Sequence, residues 1–160
     1  MEAFFLAHEP ALRASAFIAV LAIMASWEFL APRRSRTLNR RQRWPANLSV
    51  VVLNTLIVRL PLPAAAVGVA ITAEGQGWGL LHHAGIPAWA ALVAGVLLLD
   101  LAIYLQHVMF HAVPALWRLH RMHHADLDID VTTGARFHPI EILLSMTIKL
   151  GVVAALGAPA

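Results

Sequence analysis

Four long apolar stretches, separated by polar or turn-rich pieces, set the plan of the chain. The first, residues 11–32 (ALRASAFIAVLAIMASWEFLAP), is long enough at about 1.5 Å per residue to cross a hydrocarbon layer about 30 Å thick. The second, residues 47–72, carries Asn54, Arg59, Pro61 and Pro63, which predicts a spanning helix kinked near its middle with its polar groups turned toward protein. After the Gly-rich turn AEGQGWGLLHHAGIP, a third run over 88–111 crosses again and ends on two histidines. The fourth begins at Pro139 and is still apolar at residue 160. The pattern predicts an all-α fold, a multi-pass transmembrane helical bundle. It forms a single membrane domain over 1–160, with a histidine-rich helical segment over 107–138 at one membrane face.

Composition supports a lipid environment: 59% of residues are hydrophobic, 13% are charged and the mean hydropathy is +0.69. The start of the first run is not that of a cleaved leader, because Glu2 and Glu9 precede it and the arginines follow, so it reads as a retained anchor. The pI near 10.6 does not point to nucleic acid. Six of the twelve basic residues fall in PRRSRTLNRRQRW, directly after the first apolar run, where they bias membrane orientation. That loop is expected on the cytoplasmic side and the N-terminus outside. By counting crossings, the histidine segment, with Arg118, Arg121 and Arg136, is expected to emerge in the cytoplasm.

The chain has no cysteine, so any metal must be held by His, Asp or Glu. Six of the nine histidines lie between 107 and 138. His107 and His111 are four apart and share a helix face. Pro114 breaks that helix and suits the first turn of the next, on which His120, His123 and His124 project within roughly 100° of arc. Two helices thus offer five imidazoles to one space, and His138 in RFHPIE can supply a sixth, with Pro139 and Glu141 placed as for a helix start. So many imidazoles on converging faces are costly to desolvate without a common ion, and imidazole suits Zn, Cu, Fe and Ni. Asp100 and Tyr104 continue the face of His107 and His111 and are candidates, with Glu141, for orienting the ligands. His8, His82 and His83 read as interfacial or packing residues, Trp117 and Arg118 as interfacial anchors, and ADLDID (125–130) as a solvated acidic turn rather than a calcium loop.

The segment DLAIYLQHVMFHAVPALWRLHRMHHADLDIDVTTGARFHPIE, residues 100–141, resembles the fatty acid hydroxylase and sterol desaturase superfamily of integral-membrane di-iron oxygenases. An HxxxH box, an HxxHH box and TTGARFHPIE occur in the family's order. The resemblance implies that His107, His111, His120, His123, His124 and His138 are iron ligands and that the complete protein holds two irons. Members usually carry a further HxxHH box beyond RFHPIE. The sequence ends at Ala160 without one, so the C-terminal part of the domain is expected to be missing. Val108 stands where many members have Arg.

The implied activity is an O₂-dependent hydroxylase or desaturase acting on a sterol or fatty acyl chain, drawing electrons from a separate donor protein, since no dinucleotide-binding fingerprint is visible. Two other readings stay open: a non-catalytic truncated membrane fragment and a haem-binding membrane electron carrier. A zinc protease would need Glu after the first histidine, where HVMFH has Val108.

Overall fold

The first apolar stretch forms α1 (Glu2–Leu30) in the computed structural model, which describes residues 2–62 and 65–159. None of the apolar window of α1 is covered by protein, so its faces are left for lipid. It meets the rest of the chain at its C-terminal end, where Glu28 Oε1 accepts from the Val131 amide at 3.0 Å.

The second stretch differs from the expectation. In place of one kinked span over 47–72 there are two helices, α2 (Arg40–Arg59) and α3 (Ala65–Gly75). Pro61 has no amide to donate into the helical ladder, and α2 stops just before it. Pro63 lies outside the described residues. α2 starts earlier than the apolar pattern suggests because Asn39 caps it. Asn39 Oδ1 accepts from the Arg41 amide at 3.1 Å, and Gln42 Oε1 accepts from the Asn39 amide at 3.3 Å.

A short helix, α4 (Leu80–His83), leads into α5 (Ala88–Ala112). The break at Val113 is a single extended residue, and Pro114 then occupies the first turn of α6 (Pro114–His124), where a missing amide costs nothing. A strap over 125–138, containing a 3₁₀ turn at Thr133–Ala135, joins α6 to α7 (Pro139–Leu156). α7 packs against α2, α3 and α5, with Leu81, Ala91 and Leu156 forming an apolar cluster at its far end. There the chain passes so closely that a Cβ on Gly79 would strike the backbone of Gly157. Gly157 itself ends α7 in the left-handed conformation (φ 60°), its amide bonded to the Val153 carbonyl at 3.0 Å. Among the described residues there is no strand, and three helices are long and apolar enough to cross a membrane: Ala7–Leu30, Ala88–Ala112 and Pro139–Leu156.

Candidate metal centre

The turn at Val113 folds α6 back against the end of α5 and brings four imidazoles together. One ring nitrogen from each of His107, His111, His120 and His124 lies within 4.8 Å of the others. The pairs are regular: His107 Nε2 and His111 Nε2 are 3.2 Å apart on α5, and His120 Nε2 and His124 Nε2 are 3.2 Å apart on α6. Two nitrogens bound tetrahedrally at about 2.0–2.1 Å, as in zinc sites, would be separated by about 3.3 Å, so the spacing within each pair, which is also that of an N–H···N hydrogen bond, admits a common ion. His120 is 1% exposed; His107, His111 and His124 are exposed, leaving the cluster open on one side.

Glu141, in the first turn of α7, fixes the buried member of the set. His120 Nδ1–H donates to Glu141 Oε1 at 2.6 Å, which leaves the Nε2 lone pair facing His124. This is the outer-shell arrangement that fixes ring and tautomer in histidine metal sites. The remaining candidates are placed differently. His123 is not one of the four: its ring, 5.0 Å from that of His124, lies flat against Phe137, with centroids 4.5 Å apart and planes 6° from parallel, and its Nδ1 is buried without a hydrogen bond. His138 caps α7, its Nδ1 accepting from the Ile140 amide at 3.2 Å. Asp100 and Tyr104 are exposed on α5 and make no hydrogen bond or ring contact with the histidines among the described residues. His8 is engaged with Phe4 on α1, and His82 and His83 lie together on α4, away from the cluster.

Trp117, expected as an interfacial anchor, instead forms a wall of the cluster, with ring centroids 5.2 Å from His111 and 5.6 Å from His124. The signal was available, since 117, 120 and 124 are spaced by three and four on one helix face. Arg118 is exposed.

The acidic turn is the main correction. Asp126 and Asp130 are not solvated but buried against Arg43 of α2, whose Nε donates to Asp126 Oδ1 at 2.6 Å and whose Nη1 donates to Asp130 Oδ2 at 3.1 Å. Asn47, Trp44 and Thr133 add donors to the two carboxylates at 3.0, 3.0 and 2.7 Å. Arg43 also donates to the Asp128 carbonyl. Farther along α2, Asn54 Nδ2 donates to the Phe137 carbonyl at 2.9 Å. α2 therefore holds the strap at both ends. The strap carries the ring that pins His123 and leads into the helix that delivers Glu141.

Charge at the site follows burial. His120 is lowered to about 4 by desolvation and then by the neighbouring His107 and His111 imidazoles. His123 and His124 are also lowered, chiefly by burial and then by adjacent histidines. These rings are neutral at pH 7, the form that binds metal. Arg43 holds the Asp126 carboxyl well below the usual carboxylate range, against the opposing effect of burial.

Four neutral nitrogen donors, no thiolate, and two unpartnered buried acceptors beside them, His123 Nδ1 and Glu141 Oε2, suit a borderline first-row ion. The donor set fits the metal that the histidine boxes imply. Residues 92–160 match the fatty acid hydroxylase family, a span that contains all four clustered histidines and Glu141. The match agrees with the resemblance to the fatty acid hydroxylase and sterol desaturase superfamily. No curated protein and no solved structure matches the chain.

Proposed function

We propose that this chain carries the metal centre of a membrane-bound, iron- and O₂-dependent lipid hydroxylase or desaturase. The observation that carries the reading is the convergence of four imidazoles from two consecutive helices, with a buried carboxylate on the Nδ1 of one of them. In this reading His107, His111, His120 and His124 hold one iron. His123 and His138 contribute to a second, with Glu141 orienting His120. Reduced iron with O₂ supplies an oxidant strong enough for an unactivated C–H bond, which no side chain provides.

The protein's own residues do the rest. Glu141 keeps His120 in the tautomer whose Nε2 can bind, and Trp117 and Phe110 cover the rings on two sides. The lipid-facing surfaces of α1 and α5 let an acyl chain or sterol approach from within the bilayer. Electrons come from a separate donor protein reaching the cytoplasmic face, on which the arginine loop and the histidine cluster lie in this reading.

The test is expression under iron-replete conditions, followed by metal analysis and by incubation with reductant, electron donor and a mixed sterol and fatty-acid extract. Iron should be bound by this chain, products one oxygen heavier or two hydrogens lighter are expected of the complete protein, and His124→Ala should lose both. Zinc with no iron would overturn the assignment of the metal, and a strong Soret band would favour the haem carrier.

A further inference from the structure

A second concave site, lined by none of the histidines, lies between the C-terminal end of α1 and the turn at 126–130, with a volume of about 670 Å³. We propose that it binds the head group of a phosphoethanolamine lipid, with the phosphate on Arg33 and Arg34 and the ammonium on Glu28. The inference does not depend on the oxygenase reading.

Three observations carry it. Arg33 and Arg34 line the cavity, are exposed, and have no hydrogen bond or ion pair among the described residues, while Arg36 Nη2 donates to the Glu28 carbonyl at 3.2 Å. The acids on the opposite wall do not neutralise them. Asp126 and Asp130 are engaged with Arg43, and Asp128 accepts from the Thr37 and Leu38 amides at 3.0 and 2.7 Å. Both guanidiniums are thus free to take a phosphate, the group their planar fork of donors matches.

The second observation is Glu28, whose Oε1 is occupied by the Val131 amide while its Oε2 is buried with no partner. That oxygen has almost no accessible surface of its own, so a donor in the cavity meets it once the Glu28 side chain, which lines the cavity, turns outward; the cost of leaving a buried carboxylate oxygen unpaired favours that turn. Ethanolamine carries N–H donors next to its phosphate, choline carries none, and inorganic phosphate ionised at pH 7 is chiefly an acceptor.

Third, the cavity sits at the end of the candidate span Ala7–Leu30, at head-group depth, and is edged by large apolar side chains that protein leaves bare: Trp27 is 63% exposed, Leu127 73% and Ile129 81%. Aromatic and aliphatic groups beside cations at this level match the glycerol and upper acyl region of a lipid.

The experiment is native mass spectrometry of the full chain in mild detergent, with equal amounts of phosphatidylethanolamine and phosphatidylcholine of the same acyl chains. Wild type should retain the ethanolamine lipid in preference. Arg33→Gln/Arg34→Gln should lower retention of both lipids about tenfold or more. Glu28→Gln should keep the choline lipid and lose the preference, because its carbonyl is needed by the Val131 amide and its NH₂ then faces the ammonium. Far-UV circular dichroism establishes that each variant is folded. Equal retention of the two lipids by wild type, unchanged retention by the arginine variant, or displacement of lipid by millimolar inorganic phosphate would each overturn the proposal.

Discussion

Replacing Arg43 with leucine tests how the histidine cluster is braced. The substitution removes the guanidinium from Asp126 and Asp130, whose side chains are 3% and 4% exposed, and leaves both carboxylates buried with Asn47, Trp44, Thr132, Thr133 and the Asp128 amide as donors. Breaking a buried pair from one side costs about 3–5 kcal/mol, because the remaining charge loses its partner without regaining water. The control is Arg118→Leu, an exposed arginine outside the candidate spans with no ion pair among the described residues, which should cost no more than about 0.5 kcal/mol. Denaturant unfolding in mild detergent, followed by far-UV circular dichroism, reads both. The deficit of Arg43→Leu should also depend on pH. Because Asp126 has a depressed folded-state pKa, its contribution is fully present above the unfolded value, about 4, and fades as pH falls toward the folded value. In the variant the unpaired carboxyl takes up its proton at higher pH, so the gap from wild type should narrow on acidification from pH 7 to pH 4.5. A loss no larger than that of Arg118→Leu, or a gap that widens in acid, would refute the account of the strap as latched by a buried ion pair.

Glu141→Gln removes the carboxylate that orients His120 and should weaken Fe²⁺ or Co²⁺ binding about 10–100-fold with the fold intact, read by metal titration. Gly79→Ala, at φ 97° and facing the Gly157 backbone, should lower the thermal midpoint well beyond Gly85→Ala, which has open space around it and bears only the cost of its φ of 62°, about 1–2 kcal/mol. With no native thiol, Ser35→Cys should react with an impermeant reagent from the cytoplasmic side alone; labelling from outside would reverse the proposed orientation.

What could be read from the sequence was what repeats along a helix. The four-residue steps from His107 to His111 and from His120 to His124, with Pro114 between them, describe two short helical faces, and the fold needs only one extended residue, Val113, to bring them together. The pairing of Arg43 with Asp126 was not legible, because it joins residues far apart in the chain and both ends have a plausible solvated reading: an arginine in a basic loop and an aspartate in an acidic turn. His123 and His138 share the spacing and residue type of the other histidines. Only tertiary neighbours, the Phe137 ring and the Ile140 amide, separate them from the four-nitrogen group. The second apolar stretch misled because hydropathy averages across Pro61, which has no amide to give, whereas the helix ends at Arg59 with a last bond from the Leu62 amide to the Val58 carbonyl.

The single-residue turn at Val113 has a kinetic consequence. All four clustered nitrogens come from residues 107 to 124, so the loop that must close to assemble them is short and its entropic cost small. Contacts so local in sequence are expected to form before the Arg43–Asp126 contact, which must be made across the chain. An ion captured at that stage would favour the α5–α6 hairpin in the way metals drive the folding of small domains. In that order of events Glu141, arriving later with α7, would be the bolt that slows the ion's release rather than the hand that first receives it.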